Sequence, residues 1–300
     1  MITIRLSGGL GNQMFQYAAG KSLAQTQETQ FKLDLSFFKL KGYTKRNFEL
    51  SNFNIQAELA TEQEMTKYQT PLWLNKINQI FKSSLGKPRG YFSEKKVSFD
   101  KDFLMLPKDS YIDGVWMSEK YFLNIRNELI GDFTIPPQNQ TTTYKNWLNK
   151  ITSTKNPVSL HVRRGDYVKF PKITQLYGIC SPEYYNKAIN LIKKKNNDNI
   201  TIFVFSDDIE WCKQNLNLNT TTFFVSDTTG FEDIILMSNC SGNIIANSTF
   251  SWWGAWLNQS PNKTVIAPWP WFDKKNIETK DILPNNWIKI GKTNGITINL

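Results

Sequence analysis

Hydrophobic and polar positions in the C-terminal half of the chain switch regularly between a strand period and a helix period. Short apolar runs predict strands, and the stretches between them carry apolar residues at helical spacing. The predicted strands are PVSLHVRR, ITIFVFS, TFFVS, NIIANS and TVIAP, and the predicted helices are SPEYYNKAINLIKKK, DIEWCKQNL, FEDIILMSNC and FSWWGAWLNQ. This alternation indicates a Rossmann-like α/β fold, in which helices cover both faces of a parallel sheet.

The N-terminal half has a less regular pattern. ITIRL predicts a strand and SGGLGN predicts a glycine turn, after which Met14, Tyr17 and Leu23 fall at helical intervals. Residues 31–137 show only short aromatic runs, with weak helices predicted near 62–67 and 116–129. We therefore predict an α/β first half whose detailed topology the pattern leaves open.

A change of composition marks the boundary between the halves. The stretch from 134 to 157 is rich in Pro, Thr and Asn and is followed by a new strand. We place an N-terminal domain at 1–145 and a C-terminal domain at 146–300. Ligands of doubly wound sheets bind beyond the carboxyl ends of the strands, where the strand order reverses, so the loops after the predicted strands are the candidate sites.

The charge of the chain narrows the range of partners. Its 300 residues carry a formal net charge of +10, which favours nucleic acid, an acidic membrane surface or a phosphate-bearing small molecule. Most lysines are scattered, and the run Lys193–Lys195 follows a predicted helix as a solvated helix end does. Nucleic acid is therefore disfavoured as a partner.

The cysteines and the distribution of apolar residues bear on location. Cys180, Cys212 and Cys240 are odd in number and lack CxxC spacing, which argues against a disulfide framework or a zinc site. The sequence shows no signal-like leader and no run of about 18 apolar residues. We expect a cytoplasmic protein that is soluble or peripheral to a membrane.

The motif LHVRRGDYV holds the only histidine of the chain, His161, at a predicted strand end. Strand alternation puts His161 and Arg163 on one face of the sheet and Arg164 on the other. A buried guanidinium needs a compensating anion and suits bidentate phosphate recognition. Two interpretations stay open and are compatible: one arginine binds a ligand phosphate, and Asp166 holds the other in an internal ion pair.

Two further motifs place a helix N-terminus directly after a strand. In SGGLGNQMFQY, Gly9 and Gly11 fit the start of G-x-G-x-x-G, although the last position of that pattern is Met, and Asn12 either caps the turn or faces a ligand. In IIANSTFSWWGAW, small hydroxyl side chains form either an ordinary N-cap or part of an anion site. These hydroxyls belong to Ser248, Thr249 and Ser251.

Two pairs of carboxylates have competing interpretations. Glu232 and Asp233 begin a predicted helix, where acidic residues commonly serve only the helix dipole. A carboxylate beside a nucleotide can also accept hydrogen bonds from the N–H groups of guanine. Asp100 and Asp102 form a DxD sequence, which elsewhere holds Mg²⁺ or Mn²⁺, but no buried strand precedes them. We therefore expect no metal site there.

In this order along the chain, GGLGNQMFQYA, HVRRGDY and IIANSTFSWWGAWL resemble the bacterial α-1,2-fucosyltransferases of glycosyltransferase family 11. The resemblance covers both halves, although residues 31–130 add little to it. It implies a two-lobed GT-B-type fold and a GDP-L-fucose donor without a metal or other cofactor. It also implies inverting transfer to the 2-hydroxyl of a terminal galactoside, in the synthesis of a surface glycan such as O-antigen or capsule.

The resemblance implies roles for particular residues. Arg163 falls at the position expected to hold the donor diphosphate, with His161 and Arg164 beside it. Asn12 and the glycines before it match the loop that faces the leaving group. Asp233 resembles a carboxylate that reads guanine.

The general base is the least determined residue. Asp166 is the first candidate, with equal weight given to a role as an ion-pair partner, and Asp34 in KLDLSFF is the reserve. Two rival functions stay open. One is a transferase that uses another nucleotide sugar, and the other is a non-catalytic protein that binds a sugar phosphate or polyanion.

Overall fold

The strand, glycine turn and helix predicted at the N-terminus are present in the computed structural model, which describes residues 1–40, 46–68 and 88–298. Strand β1 (Ile2–Arg5) alternates β-branched residues and is buried at its first three positions. Helix α1 (Leu10–Thr26) is buried around most of its circumference. The chain described here divides into two units, Met1–Ser51 with Ile55–Asp132, and Asn52–Asn54 with Phe133–Leu300.

The first unit contains a parallel five-stranded sheet in the order β3-β2-β1-β5-β4. Its other strands are β2 (Phe31–Asp34), β3 (Glu58–Leu59), β4 (Tyr91–Ser93) and β5 (Ser110–Asp113). The described residues of this unit also form helices α2 (Glu62–Thr66) and α3 (Arg126–Asp132). The single helix predicted near 116–129 is wrong, because the chain forms two 3-10 turns, Glu119–Tyr121 and Leu123–Ile125, before α3 begins. β1 lies in the middle of the sheet, so the glycine turn opens at the carboxyl edge between β2 and β5.

The second unit contains the predicted alternation of strands and helices. Its sheet has the order β12-β11-β10-β9-β6-β7-β8, parallel except for the β11–β12 pair. The strands are β6 (Pro157–Val162), β7 (Thr201–Ser206), β8 (Thr222–Phe224), β9 (Gly242–Ile244), β10 (Thr264–Trp269), β11 (Ile288–Gly291) and β12 (Thr297–Ile298). The chain builds outward from β6 to β8 and then returns to β9 on the other side of β6. The strand order therefore reverses between β6 and β9, which is where such sheets bind ligands.

Helices connect these strands and cover the sheet. They are α4 (Thr142–Ser153), α5 (Gly165–Lys169), α6 (Pro171–Tyr177), α7 (Pro182–Lys195), α8 (Ile209–Asn215), α9 (Gly230–Ser238) and α10 (Thr249–Leu257). β6 is buried at all six positions because helices lie over both of its faces. The predicted α/β class, with a Rossmann-like C-terminal half, is confirmed.

The division between the units falls between Asp132 and Phe133, before the boundary placed at 145/146 from composition. Helix α4 accounts for the difference, because its N-cap residue and its middle contact the rest of the second unit. The backbone N–H of Thr141, the residue before α4, donates to the Glu232 carboxylate at 2.9 Å. The Trp147 indole N–H donates to the Ser226 carbonyl at 3.2 Å.

Candidate active site

Arg163 stands at the carboxyl end of β6, beside the reversal of strand order, and is held between two carboxylates. Its Nη2 donates to Oδ1 of Asp166 at 2.6 Å, and its Nη1 lies 2.9 Å from Oδ2 of Asp207. Asp166 is in the first turn of α5, and Asp207 directly follows β7. The guanidinium is thereby fixed by groups from two neighbouring strand ends.

Arg164 has different partners. Its backbone N–H donates to Oδ1 of Asp207 at 2.9 Å, and its Nε donates to Oδ2 of Asp208 at 3.2 Å. The guanidinium carbon lies 4.1 Å from the centroid of the Trp211 ring, a cation–π contact. The structure therefore pairs Asp166 with Arg163 and gives Arg164 a separate partner in α8's N-cap, Asp208.

Three carboxylates thus face two guanidiniums at this strand edge. The charge of both arginines is compensated within the protein, so buried charge alone does not require a bound anion. Arg163 nevertheless keeps 27% of its side chain exposed. Its two ion pairs occupy a part of the five N–H donors of a guanidinium, which leaves donors for a phosphate oxygen.

Asp207 and Asp208 are site residues that the motif analysis did not single out. The signal was present in the sequence, since both acids come directly after the predicted strand ITIFVFS. β7 pairs with β6 in parallel, with His161 opposite Phe205 and Val162 opposite Ser206. Residues that follow the two strands are therefore neighbours, and the acids meet the arginines.

His161 is buried on β6, with 4% of its surface exposed. Within the described part of the chain its Nδ1 has no hydrogen-bond partner, and its ring centroid lies 5.4 Å from that of Phe250 in the first turn of α10. Burial, and to a lesser degree the charge of Arg163, lowers the pKa of His161 to about 3. The imidazole is therefore neutral at physiological pH and offers one unsatisfied polar atom, which calls for a partner.

The hydroxyl side chains at the start of α10 differ in what they bind. Ser248 is the N-cap, and its hydroxyl accepts from the Phe250 N–H at 3.4 Å. The Ser251 hydroxyl is buried and donates to the carbonyls of Ala246 and Ser248, each at 3.4 Å. Thr249 is half-buried at the first position of the helix. Ser251 thus closes its own turn, whereas Ser248 and Thr249 stand where α10 begins, next to β6.

The acidic pair at the start of α9 separates into two roles. Glu232 is fully buried and forms a capping box with Thr229, and it also accepts from the Thr141 N–H. Asp233 accepts from the Thr228 hydroxyl at 2.6 Å. Burial, with a smaller contribution from the charge of Glu232, raises the pKa of Asp233 to about 7. Glu232 is therefore structural, and Asp233 is the carboxylate with an unusual ionisation.

In the first unit, the glycine turn lies between β1 and α1. Gly8 has φ of 75°, a left-handed conformation that favours glycine. Gly9, and not Asn12, occupies the N-cap of α1 and has no side chain to cap the helix. Among the described residues, no atom beyond its chain neighbours lies within 4 Å of the position that a Cβ on Gly9 would take. Gly11 and Asn12 belong to the first turn of α1, so the turn presents open space beside backbone N–H groups.

Two buried glutamines of α1, which sequence reasoning missed, hold this turn. Oε1 of Gln16 accepts from the Ser7 N–H at 2.9 Å, and its Nε2 donates to the Gly114 carbonyl after β5 at 3.0 Å. Nε2 of Gln13 donates to the Gly8 carbonyl at 3.1 Å. The turn is thus tied to both the helix and the neighbouring strand end.

The remaining carboxylate candidates have structural partners. Asp34 ends β2 in a buried position and accepts from the Tyr111 hydroxyl at 2.7 Å and from the Ser36 N–H at 2.8 Å. Asp100 is the N-cap of a 3-10 turn, and its Oδ1 accepts from the Asp102 N–H at 3.3 Å. The DxD sequence therefore forms a capping turn.

A family model described as glycosyl transferase family 11 matches residues 1–291. The chain belongs to glycosyltransferase family 11. The family expected from the three motifs is confirmed, and the chain is a glycosyltransferase. It is 37% identical to the alpha-1,2-colitosyltransferase of Escherichia coli, over 97% of this chain and 99% of that protein. It is 33% identical to the O-antigen biosynthesis glycosyltransferase WbnK of Escherichia coli, over 95% of this chain and 99% of that protein.

Among solved structures, the family 11 chain is similar to a mutant of Arabidopsis thaliana FUT1 in complex with GDP. The TM-score is 0.51 at 10% identity, and the match covers 88% of this chain and 69% of that one. At this identity the likeness concerns the fold, and it confirms the expected GT-B-type α/β architecture.

The described residues of this family 11 protein contain no helix long and apolar enough to cross a membrane. The same residues contain no group of three or more His, Cys, Asp or Glu side chains placed to hold a metal ion.

Proposed function

We propose that this glycosyltransferase moves L-fucose from GDP-L-fucose to the 2-hydroxyl of a terminal galactoside, with inversion, during the cytoplasmic assembly of a surface glycan such as O-antigen. The observation that carries the proposal is the position of Arg163, at the reversal of strand order in a family 11 chain. Resemblance to bacterial α-1,2-fucosyltransferases supports fucose, and the α-1,2 linkage in the name of the 37% identical relative supports the linkage.

The proposed chemistry places negative charge on the leaving group. The acceptor oxygen forms a bond to the fucose anomeric carbon as the bond from that carbon to the GDP oxygen breaks. The proton of the acceptor hydroxyl passes to the proposed base, Asp166, and charge builds on the β-phosphate. The remaining N–H donors of Arg163, together with the amides at the start of α10 near Ser248 and Thr249, stabilise that charge. In this arrangement, fixed N–H donors stabilise the phosphate charge that Mg²⁺ stabilises elsewhere. We therefore propose that no metal is required.

The second unit offers groups for the rest of the nucleotide. Asp233 accepts the two N–H donors of guanine through its carboxylate, and Nδ1 of His161 gains a hydrogen bond that the described residues do not give it. Because His161 is neutral, it adds no charge next to Arg163. Arg164 positions Asp207 and Asp208 and stays a structural neighbour.

In the first unit, Gly9, Gly11 and Asn12 form the proposed ligand-facing surface. The open space beside Gly9 supports this assignment, because a side chain is not excluded there by the protein itself. A ligand that occupies this space would explain why the position has a glycine and no side chain.

Asp166 remains the proposed base, and its ion pair with Arg163 at 2.6 Å holds its carboxylate at the strand end. The test is Asp166→Asn, which keeps the shape and removes the proton affinity. Loss of turnover with unchanged GDP affinity and melting temperature supports a base. Loss of GDP affinity assigns Asp166 to the positioning of Arg163, and Asp34→Asn then becomes the variant to measure.

A second candidate donor follows from the comparisons. The relative with 37% identity is named a colitosyltransferase, and colitose is L-fucose without its 3-hydroxyl. The two donors share the guanine, ribose and diphosphate that the proposed site binds, so the second unit's contacts to GDP do not separate them.

The experiment is a donor panel of GDP-L-fucose, GDP-colitose, GDP-mannose and UDP-galactose with a galactoside acceptor. Faster release of nucleoside diphosphate from GDP-L-fucose than from the other three supports the proposal. Faster release from GDP-colitose moves the assignment to the second candidate. Release of UDP alone, or binding without turnover, contradicts both.

A further inference from the structure

The segment that follows Arg163 is a helical hairpin whose inner side is packed and whose tip is not. It consists of α5 and α6, joined at Phe170. The Tyr167 hydroxyl donates to the Asn247 carbonyl at 3.0 Å, and the Tyr167 and Tyr177 rings stack with centroids 5.0 Å apart. The hydrogen bond holds the hairpin on the rest of the second unit, and the stacked rings join its two helices.

The tip of the hairpin exposes two apolar side chains. Val168 is 48% exposed and Phe170 is 51% exposed, at the end of α5 and at the joint with α6. Single exposed apolar residues are ordinary on protein surfaces, but Val168 and Phe170 lie two residues apart and form an exposed apolar pair on one turn.

Lysines lie at both ends of α6. Lys169 and Lys172 flank the apolar tip, and the loop after β10 brings Lys274 and Lys275 to the C-terminal end of α6, where the Asp273 N–H donates to the Leu176 carbonyl at 2.9 Å. We name this surface the basic apolar patch. It consists of Val168, Lys169, Phe170, Lys172, Lys274 and Lys275, all of which are exposed.

The carboxylates near the patch are already neutralised from the inner side. Asp166 pairs with Arg163 at 2.6 Å, and Asp273 pairs with the buried Lys292 at 2.7 Å. In the described parts of the chain, none of the four patch lysines lies in an ion pair. Positive charge is therefore presented outward, next to the two apolar side chains.

From these observations we infer that the basic apolar patch binds the surface of an anionic lipid bilayer. Val168 and Phe170 enter the boundary between headgroups and acyl chains, while the lysines contact lipid phosphates. A polynucleotide would use the lysines but would leave the apolar pair without a role. The inference does not depend on which sugar the enzyme transfers.

The test measures co-sedimentation of the full-length protein with vesicles. Vesicles of phosphatidylcholine and phosphatidylglycerol in equal amounts are compared with vesicles of phosphatidylcholine alone. One variant is Val168→Ser with Phe170→Ser, and the other is Lys169→Glu with Lys172→Glu. Each lysine near an anionic surface contributes roughly fivefold to partitioning, so we expect the lysine variant to bind the anionic vesicles at least about tenfold less than wild type. We also expect a clear loss of binding for the serine variant, because it removes the two apolar side chains that enter the headgroup boundary.

The matched control is Lys194→Glu with Lys195→Glu, which makes the same change of charge at the C-terminal end of α7. Because α7 runs back across the sheet to the start of β7, this control lies at the opposite, amino edge of the same sheet. We expect it to bind as wild type does. Equal loss in the control, or unchanged binding after the two serine substitutions, would overturn the inference in favour of diffuse charge attraction. If a DNA duplex displaced the protein from the vesicles and bound it as tightly as the lipid does, the inference would be overturned in favour of nucleic acid.

A second measurement reports insertion directly. The native cysteines Cys180, Cys212 and Cys240 are buried, so Phe170→Cys carries the one exposed thiol in the described residues for an environment-sensitive fluorophore. We expect a blue shift of its emission with anionic vesicles, and none for the same label at Met105→Cys in the first unit. Identical spectra with and without vesicles at position 170 would contradict the inference, even if the other variants fold poorly.

Discussion

Replacing Arg163 by alanine separates the stability of the candidate site from its chemistry. The change removes two ion pairs, at 2.6 Å to Asp166 and 2.9 Å to Asp207. Pairs of partly exposed groups contribute about 0.2–1 kcal/mol each, and the two carboxylates are left facing each other. We expect the free energy of unfolding to fall by about 1–2 kcal/mol, which lowers Tm by a few degrees, roughly 2–8 °C for a chain of this class.

The expected effect on turnover is larger. If Arg163 stabilises the charge of the departing diphosphate, its loss costs about 3 kcal/mol in the transition state, roughly a hundredfold in rate. The assay is single-turnover release of GDP at saturating donor, with thermal melts of the same samples. Arg164→Ala is the comparison, because it loses the Asp208 pair and the Trp211 contact; it should lower Tm by at least as much and slow turnover less than about tenfold.

A double variant, Arg163→Ala with Asp207→Asn, decides between the two effects. It removes one of the unpaired carboxylates, while the amide oxygen of Asn still accepts from the Arg164 N–H. We expect Tm to recover most of its loss and the rate to stay low. Recovery of turnover together with Tm, or a rate within tenfold of wild type for Arg163→Ala, would refute the role assigned to the guanidinium.

Three other outcomes follow from the same site. Excess EDTA should leave the rate nearly unchanged, and loss of activity that Mn²⁺ restores would replace the phosphate assignment. Gly9→Ala should fold normally and lose donor affinity. Gly8→Ala should lose stability, because φ is 75° there and a Cβ would lie 2.8 Å from Nδ2 of Asn12. Thermal melts and GDP titrations distinguish the two variants. The pKa of Asp233 is about 7 in the folded state and about 3.9 in the unfolded state. Between these values the folded state holds a proton that the unfolded state has lost. Asp233 therefore makes the free energy of unfolding fall as pH rises from about 4 to 7. Asp233→Asn should flatten that fall in urea unfolding, and GDP affinity of the wild type alone should increase over the same range as the carboxylate ionises.

The second unit was predictable because its strands are buried on both faces and its helices are amphipathic, so each element leaves a separate pattern. β6, for instance, is buried at every position and reads as PVSLHV. The first unit was not predictable in detail. Its strands β3 and β4 have two and three residues, which is too short for a period of two to stand out.

The site shows the same limit. The pair of Arg163 and Asp166 is local, three residues apart, and the motif contains it. The contact with Asp207 depends on β7 lying next to β6, which no local pattern states. Glu232 and Asp233 are adjacent acids, and the local pattern does not show which of them caps the helix. The capping box with Thr229 separates their roles, because Glu232 occupies the N3 position.

The most direct test of the proposed function is incubation of the purified protein with GDP-L-fucose and a β-galactoside, followed by NMR assignment of the product linkage. We predict release of GDP and a new α-linked fucose on the 2-hydroxyl of galactose, with inversion relative to the donor. Transfer of fucose to a different hydroxyl, or release of UDP from a UDP-sugar with none of GDP, would contradict it.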